Sequence, residues 1–232
     1  IPLTLAEIDK TKGLITLIFQ EIGYSTKKLG SLKEGEAVFS ILGPLGKPTE
    51  MEQYGTIICI GGGVGIAEVY PVSKAFKEAG NNVMGIIGAR SKELLILEEQ
   101  MRNICHELFI TTDDGSYGRR GFVTDVLKEM INRDSHKNIG LVYAIGPVPM
   151  MARVAEVTKP YNIKTIVSLN PIMVDATGMC GSCRVTVAGQ TKFGCVDGPE
   201  FDAHEVDFEE LMERLSFFKN EEECLNKMCP KR

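Results

Sequence analysis

Asp175, Cys180, Cys183 and Cys195 are spaced D-x4-C-x2-C-x11-C in this chain. With aspartate in the first place, this is the C-x4-C-x2-C…C ligand spacing of a [2Fe–2S] cluster. Four anionic donors carried by one glycine-rich loop suit a pair of irons, and the two-residue gap predicts that Cys180 and Cys183 grip one site. Gly178 and Gly181 let backbone N–H groups turn toward the sulfurs. A group so held moves electrons singly. Two other readings stand beside it. Zinc held by the three thiolates with Asp175 as fourth ligand is one. The other makes Asp175 a turn cap and takes the last ligand from Cys224 or Cys229.

A second kind of chemistry sits in the middle of the chain. The apolar run Thr56–Ile60 leads into Gly61, Gly62, Gly63, Val64, Gly65 and Ile66. A strand, a glycine cluster and a helix in that order place bare N–H groups where a pyrophosphate is stabilised. Close packing of strand on helix would account for the same glycines. Ala144–Met151, with Gly146, Pro147 and Met150, repeats the strand-to-helix transition; read alone, its prolines start a helix and its methionines fill a core. Arg90-Ser91-Lys92 follows the next strand, where an adenine ribose would lie. Basic residues there favour a 2′-phosphate, although Glu93, Glu98 and Glu99 are near enough in sequence to serve a hydroxyl.

These motifs need elements to hold them. Residues 1–46 read as β, with strands over Leu14–Phe19 and Ala37–Leu42 and a short helix from Ser25 to Leu32; so few strands suit part of an antiparallel barrel. From residue 55 apolar runs alternate with amphipathic ones. Strands are expected over Thr56–Ile60, Asn82–Ile87, Glu107–Thr111, Gly140–Ile145 and Lys164–Leu169. Helices are expected through Ala79 and over Lys92–Cys105, Gly121–Arg133 and Val148–Lys159. That alternation predicts an α/β fold with a five-stranded parallel sheet covered on both faces. A hairpin, Arg184–Ala188 against Thr191–Cys195, should follow the cysteine loop, then an amphipathic helix Val206–Phe218 and a charged, fraying tail. The expected domains are 1–48, part of an N-terminally incomplete flavin barrel, 49–169 for the nucleotide, and 170–232 for the cluster loop and last helix.

Composition narrows the classes. The 232 residues carry a net charge of −5 and no tryptophan. No basic stripe is available for nucleic acid, and no apolar run has the length of a membrane span. Seven cysteines, three of them in one loop, and no export signal point to the reducing cytoplasm and to metal ligation. Cys59 and Cys105 lie within apolar runs and read as core. His106, His136 and His204 show no catalytic spacing. The opening Ile1-Pro2-Leu3-Thr4 begins inside a strand-like run, so further sequence is expected upstream.

Gly61–Ala67 (GGGVGIA) and Gly146–Met151 (GPVPMM) together resemble the nucleotide domain of the ferredoxin–NADP reductase superfamily. With the cysteine loop added, the whole chain is similar to the electron-transfer subunit of B-type dihydroorotate dehydrogenase. It is more similar still to the small subunit of NADH-dependent reduced ferredoxin:NADP oxidoreductases. Asp175 carries that preference, because the former subunit has cysteine at all four ligand positions; Asp197–Phe201 and His204–Phe208 point the same way. The resemblance implies FAD on Pro2, Leu3 and Thr4, on Ile18, Phe19 and Gln20, and on the turn at Gly23, Ser25 and Thr26, with Gly43–Gly46 continuing the pattern. The family's flavin arginine would lie upstream of Ile1. It also implies NADH, despite Arg90, on Gly61–Ile66, Arg90, Gly146, Pro147 and Met150, and a [2Fe–2S] cluster on Asp175, Cys180, Cys183 and Cys195. The implied activity is hydride exchange between NAD(H) and FAD, with single electrons passed to a larger iron–sulfur flavoprotein subunit in a heterodimer or higher assembly. Ferredoxin would be reached through that complex. The dihydroorotate system, and a redox sensor without turnover, are the alternatives.

Overall fold

The structure is a computed structural model that describes residues 1–133 and 138–228, so His136 and Cys229 lie outside the described residues. Near-continuous apolar runs become buried strands: β3 (Thr56–Gly62), β4 (Asn82–Ala89), β5 (Glu107–Thr112), β7 (Ile139–Ile145) and β8 (Thr165–Ser168). The five run parallel to one another, and each crossover between them returns through a helix. A residue buried on both faces of a sheet has no polar side to alternate with, hence the unbroken apolar sequence.

The alternation predicts five strands; the sheet has seven, in the order β11-β8-β7-β3-β4-β5-β6. β6 (Arg119–Arg120) lengthens one edge, and its paired arginines suit an edge exposed to water. At the other edge β11 (Glu200–Asp202) pairs antiparallel with β8, Phe201 opposite Val167. A tripeptide with one buried residue has no periodicity to reveal it.

Helices cover both faces. α2 (Gly65–Glu78) and α3 (Glu98–Ile104) enclose a core around Ile57, Cys59, Phe76, Val83 and Tyr143. α4 (Val123–Arg133), α5 (Val148–Thr158) and α6 (Phe208–Ser216) enclose the other around Ile58, Ile86, Leu127, Met151 and Leu211. The expected single helix Lys92–Cys105 is broken. Lys92–Leu94 makes a 3-10 turn, and α3 starts only after Leu97, whose φ is +54°. Leu95, Ile96 and Leu97 all pack against the same core. Three consecutive apolar residues would point around much of a helix, so the backbone leaves the helix to bury them on one side.

The N-terminal residues depart further from expectation. β1 (Leu5–Asp9) and β2 (Leu14–Leu17) pair as an antiparallel hairpin, and α1 (Tyr24–Gly30) follows. The strand expected at Ala37–Leu42 is absent: residues 31–48 are irregular and exposed, Phe39 completely. A strand needs a neighbour for its N–H and C=O groups, and β1 and β2 pair with one another. After the sheet, β9 (Arg184–Val187) and β10 (Gln190–Phe193) form the predicted hairpin. The tail does not simply fray: α7 (Lys219–Met228) extends it as a helix that packs against α1. No helix among the described residues is long and apolar enough to cross a membrane.

Candidate functional site

The chain builds β3, β4 and β5 outward on one side of β3, then crosses back to place β7 and β8 on the other. The reversal leaves a crevice beyond the carboxyl ends of β3 and β7, the place where open α/β sheets bind ligands. Both glycine motifs end there, because Gly61 lies opposite Ile145 in the ladder. The two turns touch. A methyl group on Gly65 would fall 2.6 Å from the Ile145 carbonyl oxygen, and one on Gly62 would strike the Met150 sulfur. Strand–helix packing thus accounts for Gly65. No side chain caps the α2 N-terminus, although within the turn Ile66 N donates to Gly63 O at 3.2 Å and Ala67 N to Val64 O at 2.9 Å.

At the far end of the crevice Arg90 follows β4 and is exposed. Its charged neighbours are engaged. The Lys92 ammonium sits 5.1 Å from the Tyr117 ring centroid, and the Lys92 N–H donates to Ser116 Oγ at 2.9 Å. Glu98 accepts from the Tyr117 hydroxyl at 3.0 Å and from Arg102.

The flavin candidates lie beside the same helix. β1 packs against α2, and Thr4, just before β1, hydrogen-bonds Glu68 in the first turn of α2. Burial raises the Glu68 carboxyl above its usual range, and the Thr4 bond only partly offsets it. Pro2 is exposed and Leu3 half-buried; Ile18 and Phe19 are half-buried and Gln20 exposed. Thr26 organises the turn at Gly23, accepting from the N–H groups of Ile22 and Gly23, both at 3.1 Å. Ser25 stays exposed.

In the cysteine loop the donors gather as two pairs. The β9–β10 hairpin brings its flanks together, and Cys183 and Cys195, both buried, have sulfurs 3.3 Å apart without a disulfide. On the other side Asp175 folds back on Cys180: its carboxylate accepts from Thr177 N at 2.8 Å and from Cys180 N at 2.7 Å. The spacing predicts Cys180 beside Cys183; instead the Cys180 sulfur turns outward to Ser182 Oγ at 3.0 Å, because the hairpin claims Cys183 for Cys195. Gly181, with φ of +66°, makes the sharp turn between them.

The electrostatics of the pairs differ. The backbone bond from Thr177, then the contacts with Cys180, hold the Asp175 carboxyl below the usual range. Ser182 likewise lowers the exposed Cys180 thiol. Burial raises Cys195, and the adjacent Cys183 raises it further, since two neighbouring thiolates repel. A cation between them removes that penalty. Among the described residues no three His, Cys, Asp or Glu side chains converge on one point. The Cys183 and Cys195 sulfurs lie together while Asp175 meets Cys180 through its backbone N–H; four such donors in one loop suit a two-iron group better than a single zinc. The chemistry of the donor set therefore fits an iron–sulfur cluster.

The remaining candidates are structural. Burial pushes Cys59 up to about 12 and Cys105 to about 11, so both stay thiols. Cys224 is exposed on α7. His106 accepts from Val83 N at 3.2 Å, and His204 lies 2.9 Å from the buried Thr158 hydroxyl. Sequence reasoning overlooked three groups. Glu200 of β11 takes hydrogen bonds from the Thr49 and Tyr143 hydroxyls. Arg184 and Arg214 donate to the cysteine loop, to Gly181 O at 2.9 Å and Ser182 O at 3.2 Å. Glu200 falls in Asp197–Phe201, Arg184 opens the expected hairpin and Arg214 lies on the expected amphipathic helix, but none of the three carries a local signal of its contact.

Comparison with known proteins agrees with this geometry. Residues 170–207 match the iron–sulfur cluster binding domain of dihydroorotate dehydrogenase B, and residues 59–156 match the oxidoreductase NAD-binding domain. A homologue of the dihydroorotate dehydrogenase B (NAD(+)) electron transfer subunit from Thermotoga maritima is 45% identical over 222 residues, 96% of this chain and 77% of that protein. The corresponding subunit of Bacillus caldolyticus is 34% identical over 88% of this chain and 79% of its own length. A solved chain from the NADH-dependent reduced ferredoxin-NADP oxidoreductase superposes with a TM-score of 0.91 at 43% identity, covering 98% of this chain and 81% of the other.

Proposed function

We infer that this chain, which belongs to the family of dihydroorotate dehydrogenase B electron-transfer subunits and their homologues, is an electron-transfer flavoprotein subunit of an NAD(H)-dependent oxidoreductase. The observation that carries the reading is the pairing of Asp175 with Cys180 and of Cys183 with Cys195, in a loop tied through β11 to the nucleotide-binding sheet. Asp175, Cys180, Cys183 and Cys195 hold a [2Fe–2S] cluster. The α2 N-terminus and Gly61–Ile66 seat the pyrophosphate of NADH, Arg90 faces the adenosine end, and Gly146, Pro147 and Met150 border the nicotinamide end. Pro2–Thr4, Ile18–Gln20, Gly23, Ser25 and Thr26 line the flavin side, and the β1–β2 hairpin is read as part of an FAD barrel. When bound, the flavin accepts a hydride and the cluster passes single electrons. The protein's own part is to bind, to orient and to keep the donors anionic.

An electron relay needs a receiver, so the chain pairs with a larger iron–sulfur flavoprotein subunit in the cytoplasm, with ferredoxin engaged by the complex. Three of the seven cysteines sit in one ligand loop, a usage that suits a reducing compartment. The aspartate at the first ligand position favours the ferredoxin:NADP oxidoreductase reading over the dihydroorotate one. The test is anaerobic purification with metal, sulfide and flavin counts. About two irons and two sulfides per chain are expected, with NADH bleaching the visible spectrum and driving an artificial acceptor. Zinc, or no metal, would overturn the assignment; metal and flavin without turnover would leave a redox sensor.

A further inference from the structure

We propose that Arg184 and Arg214 are positioning residues that aim the cysteine loop's backbone at its sulfurs and set how readily the bound group takes an electron. The proposal rests on the reading that Asp175, Cys180, Cys183 and Cys195 hold an iron–sulfur cluster, and it adds two residues outside that ligand set. Arg214 also lies beyond the residues matched by the iron–sulfur domain, which end at 207.

The C-x2-C bridge contains only Gly181 and Ser182, and each carbonyl is taken by a guanidinium. Arg184 donates to Gly181 O at 2.9 Å, and Arg214 donates to Ser182 O at 3.2 Å. A trans peptide is planar, with its C=O and N–H pointing in opposite directions. Anchoring Gly181 O on Arg184 therefore fixes the Ser182 N–H on the opposite side, where it lies 3.5 Å from the Cys180 sulfur. Anchoring Ser182 O on Arg214 likewise fixes the direction of the Cys183 N–H. The anchors come from separate elements, β9 and α6, so the bridge is braced from two sides. Arg214 is half-buried, and its helix is pinned one turn earlier by Leu211, which is 1% exposed.

Reduction adds a negative charge to the loop. Two guanidiniums that keep their charge at any physiological pH favour that charge, and so do N–H groups directed at sulfur. Removing either arginine should make the group harder to reduce.

The test uses the purified, iron-loaded chain with three variants, Arg184→Gln, Arg214→Gln and Arg214→Lys. Iron content, a thermal melt and the oxidised-to-reduced ratio at a series of fixed potentials are read for each. Each glutamine variant should retain iron while its reduced-to-oxidised ratio falls about tenfold at a given potential, a displacement of about 59 mV for a one-electron couple. Arg214→Lys, which keeps the charge, should recover at least about half of that displacement. An unmoved ratio in iron-retaining glutamine variants, or no recovery with lysine, overturns the proposal. If Arg214→Gln fails to fold, Arg184→Gln decides alone, because its side chain is exposed. An unmodified chain without iron would instead overturn the underlying assignment, a result the iron count separates from an unmoved ratio.

Discussion

Two backbone N–H groups face the Asp175 carboxylate, and among the described residues no side-chain cation forms an ion pair with it. The position therefore favours an anion without neutralising it, as a metal ligand requires. Asp175→Asn keeps the shape and an oxygen acceptor but removes the charge. We expect iron affinity to fall by at least about tenfold, whereas Asp175→Cys should retain iron with an altered visible spectrum. An Asn variant with full iron and an unchanged spectrum would speak against ligation.

Glu200 offers a second residue-scale test. Hydrogen bonds from Thr49 and Tyr143 lower its carboxyl, but burial raises it and prevails. The folded chain thus holds this proton more tightly than the unfolded chain does. Stability from this group is present below its ordinary value near 4.5 and is lost as pH rises through the raised folded value. Glu200→Gln should gain in urea midpoint relative to the parent between acid and neutral pH. A constant difference across that window would remove the argument.

Elements rather than residues decide whether the crevice forms. β3 and β7 are neighbours only because the chain reverses direction across the sheet, and α2 starts where the two strand ends meet. Gly65 is where α2 comes closest to the backbone of β7. Gly65→Val would place branched carbons within the 2.6 Å gap to the Ile145 carbonyl, which has little room to retreat because it belongs to a central strand. We expect a loss of about 1–3 kcal/mol in denaturant unfolding and weaker NADH binding by fluorescence titration. Wild-type affinity in a folded Val variant would place the nucleotide elsewhere.

For the molecule as a whole, order is unevenly distributed. The sheet, its five helices and the cysteine hairpin share continuous packing, and Leu169 N to Pro199 O at 2.9 Å and Ala203 N to Thr165 O at 2.8 Å tie the C-terminal segment to β8. Residues 31–48 form no ladder and expose Val38, Phe39, Ile41, Leu42 and Leu45. Limited proteolysis should therefore cut first within 31–45 and leave the later residues resistant. Bound flavin or the partner subunit should slow that cleavage. Initial cleavage within 55–200 would contradict this distribution of stability.

The amino-acid sequence alone determined what is written locally. Buried parallel strands appear as unbroken apolar runs, the nucleotide turn as glycines between strand and helix, and the ligands as a cysteine spacing. Tertiary structure decided every feature whose partners lie far apart in the chain. The pairing of Cys183 with Cys195 depends on a hairpin closing, and the 2-residue gap to Cys180 pointed elsewhere. Glu200 meets Tyr143 across 57 positions, and Arg214 meets Ser182 across 32. The break before α3 follows from a core surface that must cover three successive apolar residues. The run Ala37–Leu42 has strand-like composition, yet it makes no strand without a neighbour to take its hydrogen bonds. Periodicity reports which face a residue prefers; only the folded chain supplies the second surface that face will meet.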